Sequence, residues 1–176
     1  EGDYPDNGHR FAFFFFFFLT GFKLINWIPD LIHAHDWQSA LTLAYLKHVL
    51  ATDGLYQKTR SLFTIHNLAY QGLFPPEILG QVGLPGYLFN PEDMEFYGRV
   101  NYLKAGLLYS EAISTVSPTY SQEIQTPEFG FGLDGVLRKR SERLFGILNG
   151  IDYQEWNPAT DPALPAHYSR QSPAGK

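Results

Sequence analysis

The chain has 176 residues, 44% of them hydrophobic, 16% aromatic and 18% charged, which suits one globular domain or a piece of one and excludes a disordered tail. Thirteen Lys and Arg against eighteen Asp and Glu give a net charge of −5, so no general attraction to nucleic acid or to a membrane surface is expected, and any phosphate must be held locally. The absence of cysteine rules out disulfides, thiolate nucleophiles and Cys-ligated metals, and fits a reducing cytoplasm.

The first predicted element is defined by an oddity. Phe13 to Phe18 are six consecutive phenylalanines within an apolar run of nine residues, Phe11 to Leu19, whereas a membrane helix needs about 20. Glu1, Asp3 and Asp6 precede the run with only Arg10 as a cation, which argues against a secretory signal. Such a run has neither the period of a strand nor that of an amphipathic helix, so it must be buried all round or leave a large apolar patch. Buried packing or a local anomaly is the expected reading, ahead of a binding surface.

From Pro29 onward short β-type runs alternate with segments of helical period, which predicts βαβ units and a parallel sheet. Asp30 to Ala34 reads as a strand ending at His35-Asp36, and Trp37 to Leu50 as a helix with Trp37, Ala40, Leu41, Ala44 and Tyr45 on one face. The alternation of His33 with His35 is read as placing the two rings on opposite sides of the strand, which argues against a shared metal. Ser61 to Ile65 is the second strand, followed by His66-Asn67 and a loop with Tyr70-Gln71-Gly72. Phe74 to Gly98 is rich in Pro and Gly and predicts loops with at most short helices.

Val100 to Ser110 reads as a helix and Ala112 to Val116 as a third strand. Ser117-Pro118 is a good start for a helix from Pro118 to Gln125, because Ser can accept from free amides and Pro suits the first turn. Leu133 to Arg143 is the next helix, Phe145 to Leu148 the fourth strand, and Asn149-Gly150 its end; beyond Asp152 the composition is that of a connector.

Four strands therefore end in His35-Asp36, His66-Asn67, Ser117-Pro118 and Asn149-Gly150. In an open parallel sheet these ends share one edge, beside which ligands bind. Each has a plainer reading: Asp36 could cap the helix that follows, His66 could be structural, and Asn149-Gly150 could be only a turn. No phosphate loop of the GxGxxG or Walker type is present, and FGFGLDG at Phe129 to Gly135 resembles one only in its glycines.

Several long strings carry a more specific likeness: HAHDWQSA (His33 to Ala40), FTIHNLAYQG (Phe63 to Gly72), YLKAGLLYSEAISTVSPTYSQEIQTPEFGFGLDGVL (Tyr102 to Leu137) and LNGIDYQEWNPATD (Leu148 to Asp161), with Tyr4-Pro5-Asp6-Asn7 ahead of them. Their order and spacing resemble the bacterial glycogen synthases and plant starch synthases. The resemblance implies a retaining glycosyltransferase that moves glucose from ADP-glucose to the nonreducing end of an α-1,4-glucan. It implies an α/β, Rossmann-like parallel sheet with flanking helices, most of the N-terminal lobe of a GT-B architecture, and neither a cofactor nor a metal. Residues 1–150 would form a partial N-terminal catalytic domain, and residues 151–176 the start of a junction toward a C-terminal domain outside this chain. By position, Asp36 and His66 are the implied catalytic residues; Tyr4, Asn67, Tyr70, Gln71 and Asn149 are implied substrate contacts.

The resemblance also implies a bacterial cytoplasmic protein, or a plastid one if the source is a plant, and leads to the expectation that this chain alone is inactive. A noncatalytic glucan-binding module, or a two-domain glycosyltransferase with another donor, are the alternatives. Where the family continues into an amphipathic helix after RFAFF, four further phenylalanines stand here, and they are expected to crowd a helix site meant for a narrower apolar face.

Overall fold

The computed structural model of the chain describes residues 4–176. The polyphenylalanine stretch lies within an 18-residue helix, α1 (Asn7–Leu24), whose buried positions are Gly8, Ala12, Leu19 and Phe22. That narrow stripe, spaced at whole turns, packs against α2 (Asp36–Ala44). Consecutive residues turn about 100° around a helix axis, so a run of six cannot all face one neighbour. Phe13 and Phe17 are 74% and 61% exposed and stack on each other at 6.3 Å; Phe16 reaches the buried Tyr45 ring edge-on at 5.1 Å. The expected burial and crowding are therefore corrected: the helix keeps a slim core face and holds most of the run outside it.

The main sheet has four parallel strands in the order β1 (Leu31–His35), β2 (Arg60–Ile65), β6 (Ala112–Thr115), β7 (Leu144–Gly146). Parallel register pairs Ala34 with Phe63, Phe63 with Ile113 and Ile113 with Leu144, and all four side chains are buried. They form the core face, which α2 and α4 (Tyr102–Tyr109) cover and against which the two helices pack on each other. Gly106 on α4 makes this possible, because a Cβ there would run into the Phe63 ring. The opposite face carries His33, His35, Thr64 and Ser114. Residues two apart on a strand share a face, so the expectation that His33 and His35 point apart is corrected: their rings pack 4.0 Å apart.

Boundaries move by small amounts. The helix after β1 begins at Asp36 and its last turn, Tyr45–Val49, widens into π geometry. The segment read as loops and the residues flanking it form a second sheet, three antiparallel strands in the order β3 (Leu73–Phe74), β5 (Arg99–Asn101), β4 (Glu95–Phe96), beside a one-turn helix α3 (Ile78–Gln81), so the helix read from Val100 begins only at Tyr102, with Val100 and Asn101 in β5. Strands of two or three residues carry too little pattern to be read. Buried Lys104 of α4 secures this excursion, its ammonium donating to the carbonyls of Pro91 and Glu95 at 2.6 and 2.7 Å.

Ser117 caps α5 (Pro118–Glu123) by accepting from Tyr120 N at 2.9 Å, as its position suggested. The helix read from Leu133 to Arg143 is α6 (Asp134–Lys139) with a 3₁₀ turn at Ser141–Arg143. Past β7 the described chain has turns and a 3₁₀ turn at Pro173–Gly175. No helix among the described residues is long and apolar enough to cross a membrane.

Candidate functional site at the carboxyl edge of the sheet

β1 ends at His35, and Asp36 then takes the left-handed conformation, φ 51°, which costs a non-glycine residue roughly 1–2 kcal/mol. The turn sends the Asp36 carboxylate across to β2, where Oδ1 accepts from His66 N at 2.8 Å. Asp36 makes no capping bond to α2, so its plainer reading as a helix cap is set aside. Ser39, one turn into α2, fixes the end of β1 from the other side: its Oγ accepts from His35 N at 2.5 Å and donates to His35 O at 2.6 Å.

The imidazoles continue the link. His35 Nδ1 and His66 Nε2 lie 3.0 Å apart. His33 Nε2 is 2.6 Å from Thr64 Oγ1, which is 2.6 Å from Ser114 Oγ. Polar side chains from three adjacent strands are thus tied into the open face just below the edge. Burial lowers the pKa of His33, helped by the charge of His66; burial also lowers that of His35, with His33 and His66 adding to it and the Asp36 carboxylate opposing. Both rings favour the uncharged form near neutral pH. Among the described residues, no group of three His, Cys, Asp or Glu is arranged to hold a metal ion.

Two cavities open beside this cluster. One of about 310 Å³ is lined by Asp36, Trp37, Gln38, Asn67 and Tyr70. Its neighbour of about 450 Å³ shares Trp37 and Tyr70 and adds Tyr4, Gln71, Gly72 and Arg99. Gly72 has φ 64°, and a Cβ on it would strike the Trp37 ring, so the loop holding Tyr70 and Gln71 can lie flat against Trp37. Tyr4 is exposed, and Arg10 sits 5.0 Å above its ring.

Asp36, Asn67 and Tyr70 thus meet in one cavity, with His66 linked to Asp36, while Tyr4, Tyr70 and Gln71 line the next. Gln71 is 7% exposed, and both ends of its amide are engaged. Its oxygen accepts from Asn101 Nδ2 at 2.7 Å and its nitrogen donates to Phe131 O at 3.1 Å. Asn101 in turn caps α4 through Lys104 N at 2.9 Å, so Gln71 ties the loop to the fold. Asn149 lies exposed beyond β7 and lines neither cavity. β7 is two strand spacings from β2, roughly 10 Å. FGFGLDG serves the fold: Phe131 O holds Gln71, and Asp134 pairs with Arg138 at 2.7 Å.

Trp37 is buried on the helix face expected of it and also lines both cavities. Two residues here were not picked out from sequence as part of the site. His35 was read as a strand end with its ring turned away from His33, though its position two residues after His33 and beside Asp36 was a usable signal. Arg99 is the cation in the second cavity; a lone Arg in a glycine-rich stretch gives no pattern to find it by.

Larger cavities, about 500 and 530 Å³, lie at the amino ends of the strands. Of the charged groups lining them, Arg60 is held by Glu111 at 3.1 Å and Arg140 by the carbonyls of Leu108 and Ser110. The carboxyl edge, where open parallel sheets bind ligands, is the better site.

Residues 1–139 match the family described as Starch synthase catalytic domain. Glycogen synthase 2 of Geobacter sulfurreducens is 51% identical over the whole of this chain, which covers 36% of that protein. Glycogen synthase of Pseudothermotoga lettingae is 51% identical over 93% of the chain and 34% of its own length. Among solved structures, the catalytic domain of Starch Synthase IV from Arabidopsis thaliana, bound to ADP and acarbose, superposes with a TM-score of 0.83 at 39% identity. It covers 99% of this chain and 36% of that one. The chain spans about a third of the length of the relatives it matches.

Proposed function

Because the chain belongs to the starch synthase catalytic domain family, we propose that it forms most of the first lobe of a GT-B glycosyltransferase. Its reaction is glucosyl transfer from ADP-glucose to the nonreducing end of an α-1,4-glucan, with retention. The observation that carries this reading is the bond from His66 N to the Asp36 carboxylate at the mouth of a cavity on the carboxyl edge of the sheet.

The chemistry follows from charge. As the nucleoside diphosphate departs, positive charge develops at the anomeric carbon and ring oxygen, and negative charge builds on the phosphate. The Asp36 carboxylate, held in place by the His66 amide, stabilises the positive sugar without being spent as a nucleophile. His66 and Asn67 offer ring and amide groups to sugar hydroxyls, and exposed Tyr70 supplies flat apolar surface of the kind sugars pack on, with buried Trp37 behind it. Arg99, in the cavity next door, offers a cation to a phosphate bound there. Its guanidinium also donates to Leu73 O at 2.6 Å, which orients it. Gln71 holds the loop, and Asn149 approaches the donor sugar from the far side of the sheet edge.

We assign residues 151–176 to a junction leading to a second lobe, which would close the cleft and supply the nucleotide pocket. A partner lobe accords with a chain that spans a third of its relatives' length. The cytoplasm is the proposed compartment. The test is transfer of labelled glucose from ADP-glucose to glycogen. A protein carrying this lobe and its second lobe should catalyse it, and the 176-residue chain alone should not. Absence of transfer by the two-lobed protein would overturn the assignment.

A further inference from the structure

We propose that Ser39 is a positioning residue for Asp36: by holding the backbone of His35 at both its N–H and its carbonyl, it sets the turn that carries the Asp36 carboxylate across to His66. The consequence for glucosyl transfer rests on the function proposed above; the positioning itself does not.

The left-handed backbone of Asp36, φ 51°, is one that a residue with a Cβ keeps only where its surroundings over-determine it. Two contacts do so, one on each side. On the far side the carboxylate accepts from His66 N at 2.8 Å. On the near side the Ser39 hydroxyl accepts from His35 N at 2.5 Å and donates to His35 O at 2.6 Å. Both directions follow from the partners, since a backbone N–H can only donate and a carbonyl only accept, and a hydroxyl does both at once. The carbonyl of His35 and the nitrogen of Asp36 belong to one planar peptide group. Pinning His35 O therefore fixes the plane from which the Asp36 φ turns, and with it the direction in which the side chain leaves.

Ser39 acts from behind the site. It is buried in the first turns of α2 and lines neither of the two cavities at the edge. β1 is an end strand of its sheet, with a neighbouring strand on one side only, so backbone groups on its outer side need partners from outside the ladder. Without the hydroxyl the peptide between His35 and Asp36 is free to turn. Asp36 can then relax to negative φ and cap α2, the ordinary task of an Asp at a helix start, and its carboxylate leaves His66.

The experiment is amide hydrogen exchange, followed by NMR on the ¹⁵N-labelled 176-residue chain and its Ser39→Ala variant. Alanine is the better helix former, so the change does not weaken α2 itself. The amides of Phe63 and Ile65 in β2 report the stability of the sheet, and the His66 amide reports its bond to Asp36. In Ser39→Ala the His66 amide should exchange about 10-fold faster, over and above any change it shares with Phe63 and Ile65. Equal acceleration of all three, or none at His66, overturns the proposal. Ser39→Cys, close in volume and only a weak hydrogen-bonding group, should show the same selective loss and decides the matter if Ser39→Ala does not fold. In the two-lobed protein, Ser39→Ala should lower kcat about 10-fold with the donor KM within about twofold. Faster exchange at His66 with unchanged kcat would leave the positioning standing and overturn the role given to Asp36 in transfer; a lowered kcat with unchanged His66 exchange would overturn the positioning instead.

Discussion

The carboxyl edge of the sheet and the outer face of α1 are opposite in kind. At the edge, polar side chains that would be costly to leave unpaired are tied together across three strands: His66 to Asp36, His35 to His66, His33 through Thr64 to Ser114. On α1, rings that gain most from burial stand in water, with Phe13 and Phe17 stacked on each other. Order at the edge comes from specific hydrogen bonds, and α1 is held by the few residues of its inner stripe. Composition alone would have ranked the two regions the other way, because it counts apolar residues and does not see where they point.

If that contrast is right, changes at the edge should abolish function with little loss of fold, and changes on the outer face of α1 should do neither. Asp36→Asn keeps the shape, the tolerance for left-handed backbone and an oxygen to accept from His66 N, and it removes only the charge. In the two-lobed protein it should lower kcat by about 10²–10³-fold, measured as initial rates of glucosyl transfer, with the unfolding midpoint of the protein nearly unchanged. The inner stripe of α1 should behave as core: Leu19 is fully buried, and Leu19→Ala should cost about 2–5 kcal/mol in a denaturant titration.

The edge should also show itself in the pH dependence of stability. His33 and His35 have lowered pKa values in the fold, so below the unfolded value of 6.5 the unfolded chain binds more protons than the folded one. Stability is then full above that pH and falls on acidification, well before carboxylates titrate near pH 4. Thermal unfolding followed from pH 8 to pH 5 should show the decline, and the double variant His33→Gln, His35→Gln should flatten it. The smallest effect belongs to the exposed rings. Phe13→Gln with Phe17→Gln should change unfolding free energy by about 0.5 kcal/mol or less. The same pair should reduce self-association in sedimentation, since it breaks an exposed apolar patch.

Much of this was legible before the structure. The four main strands, their order of appearance and their polar ends could be read because each combines a β-type run with a turn-forming end. The location of Asp36 and His66 on one edge follows from parallel strands alone. Three things were not legible, each for a physical reason. Asp36 as a bond acceptor for His66, in place of a helix cap, depends on a backbone angle that sequence does not state. The small antiparallel sheet rests on strands of two or three residues, below the length at which alternation has meaning. The engagement of Gln71 by Asn101 and Phe131 joins residues thirty and sixty positions apart, and nothing local announces it. The His33 and His35 pair was legible and misread, since residues two apart on a strand share a face.

The central claim is that the carboxyl edge, and not the aromatic helix, carries the chemistry. It is tested most directly by comparing glucosyl transfer from ADP-glucose to glycogen in two variants of the two-lobed protein, His66→Ala and the pair Phe13→Gln, Phe17→Gln. The account predicts a loss on the order of 10²-fold or more for His66→Ala and a rate within about twofold of the unmodified protein for the phenylalanine pair. A His66→Ala protein that keeps its rate, or a phenylalanine pair that loses it while remaining folded, would contradict it.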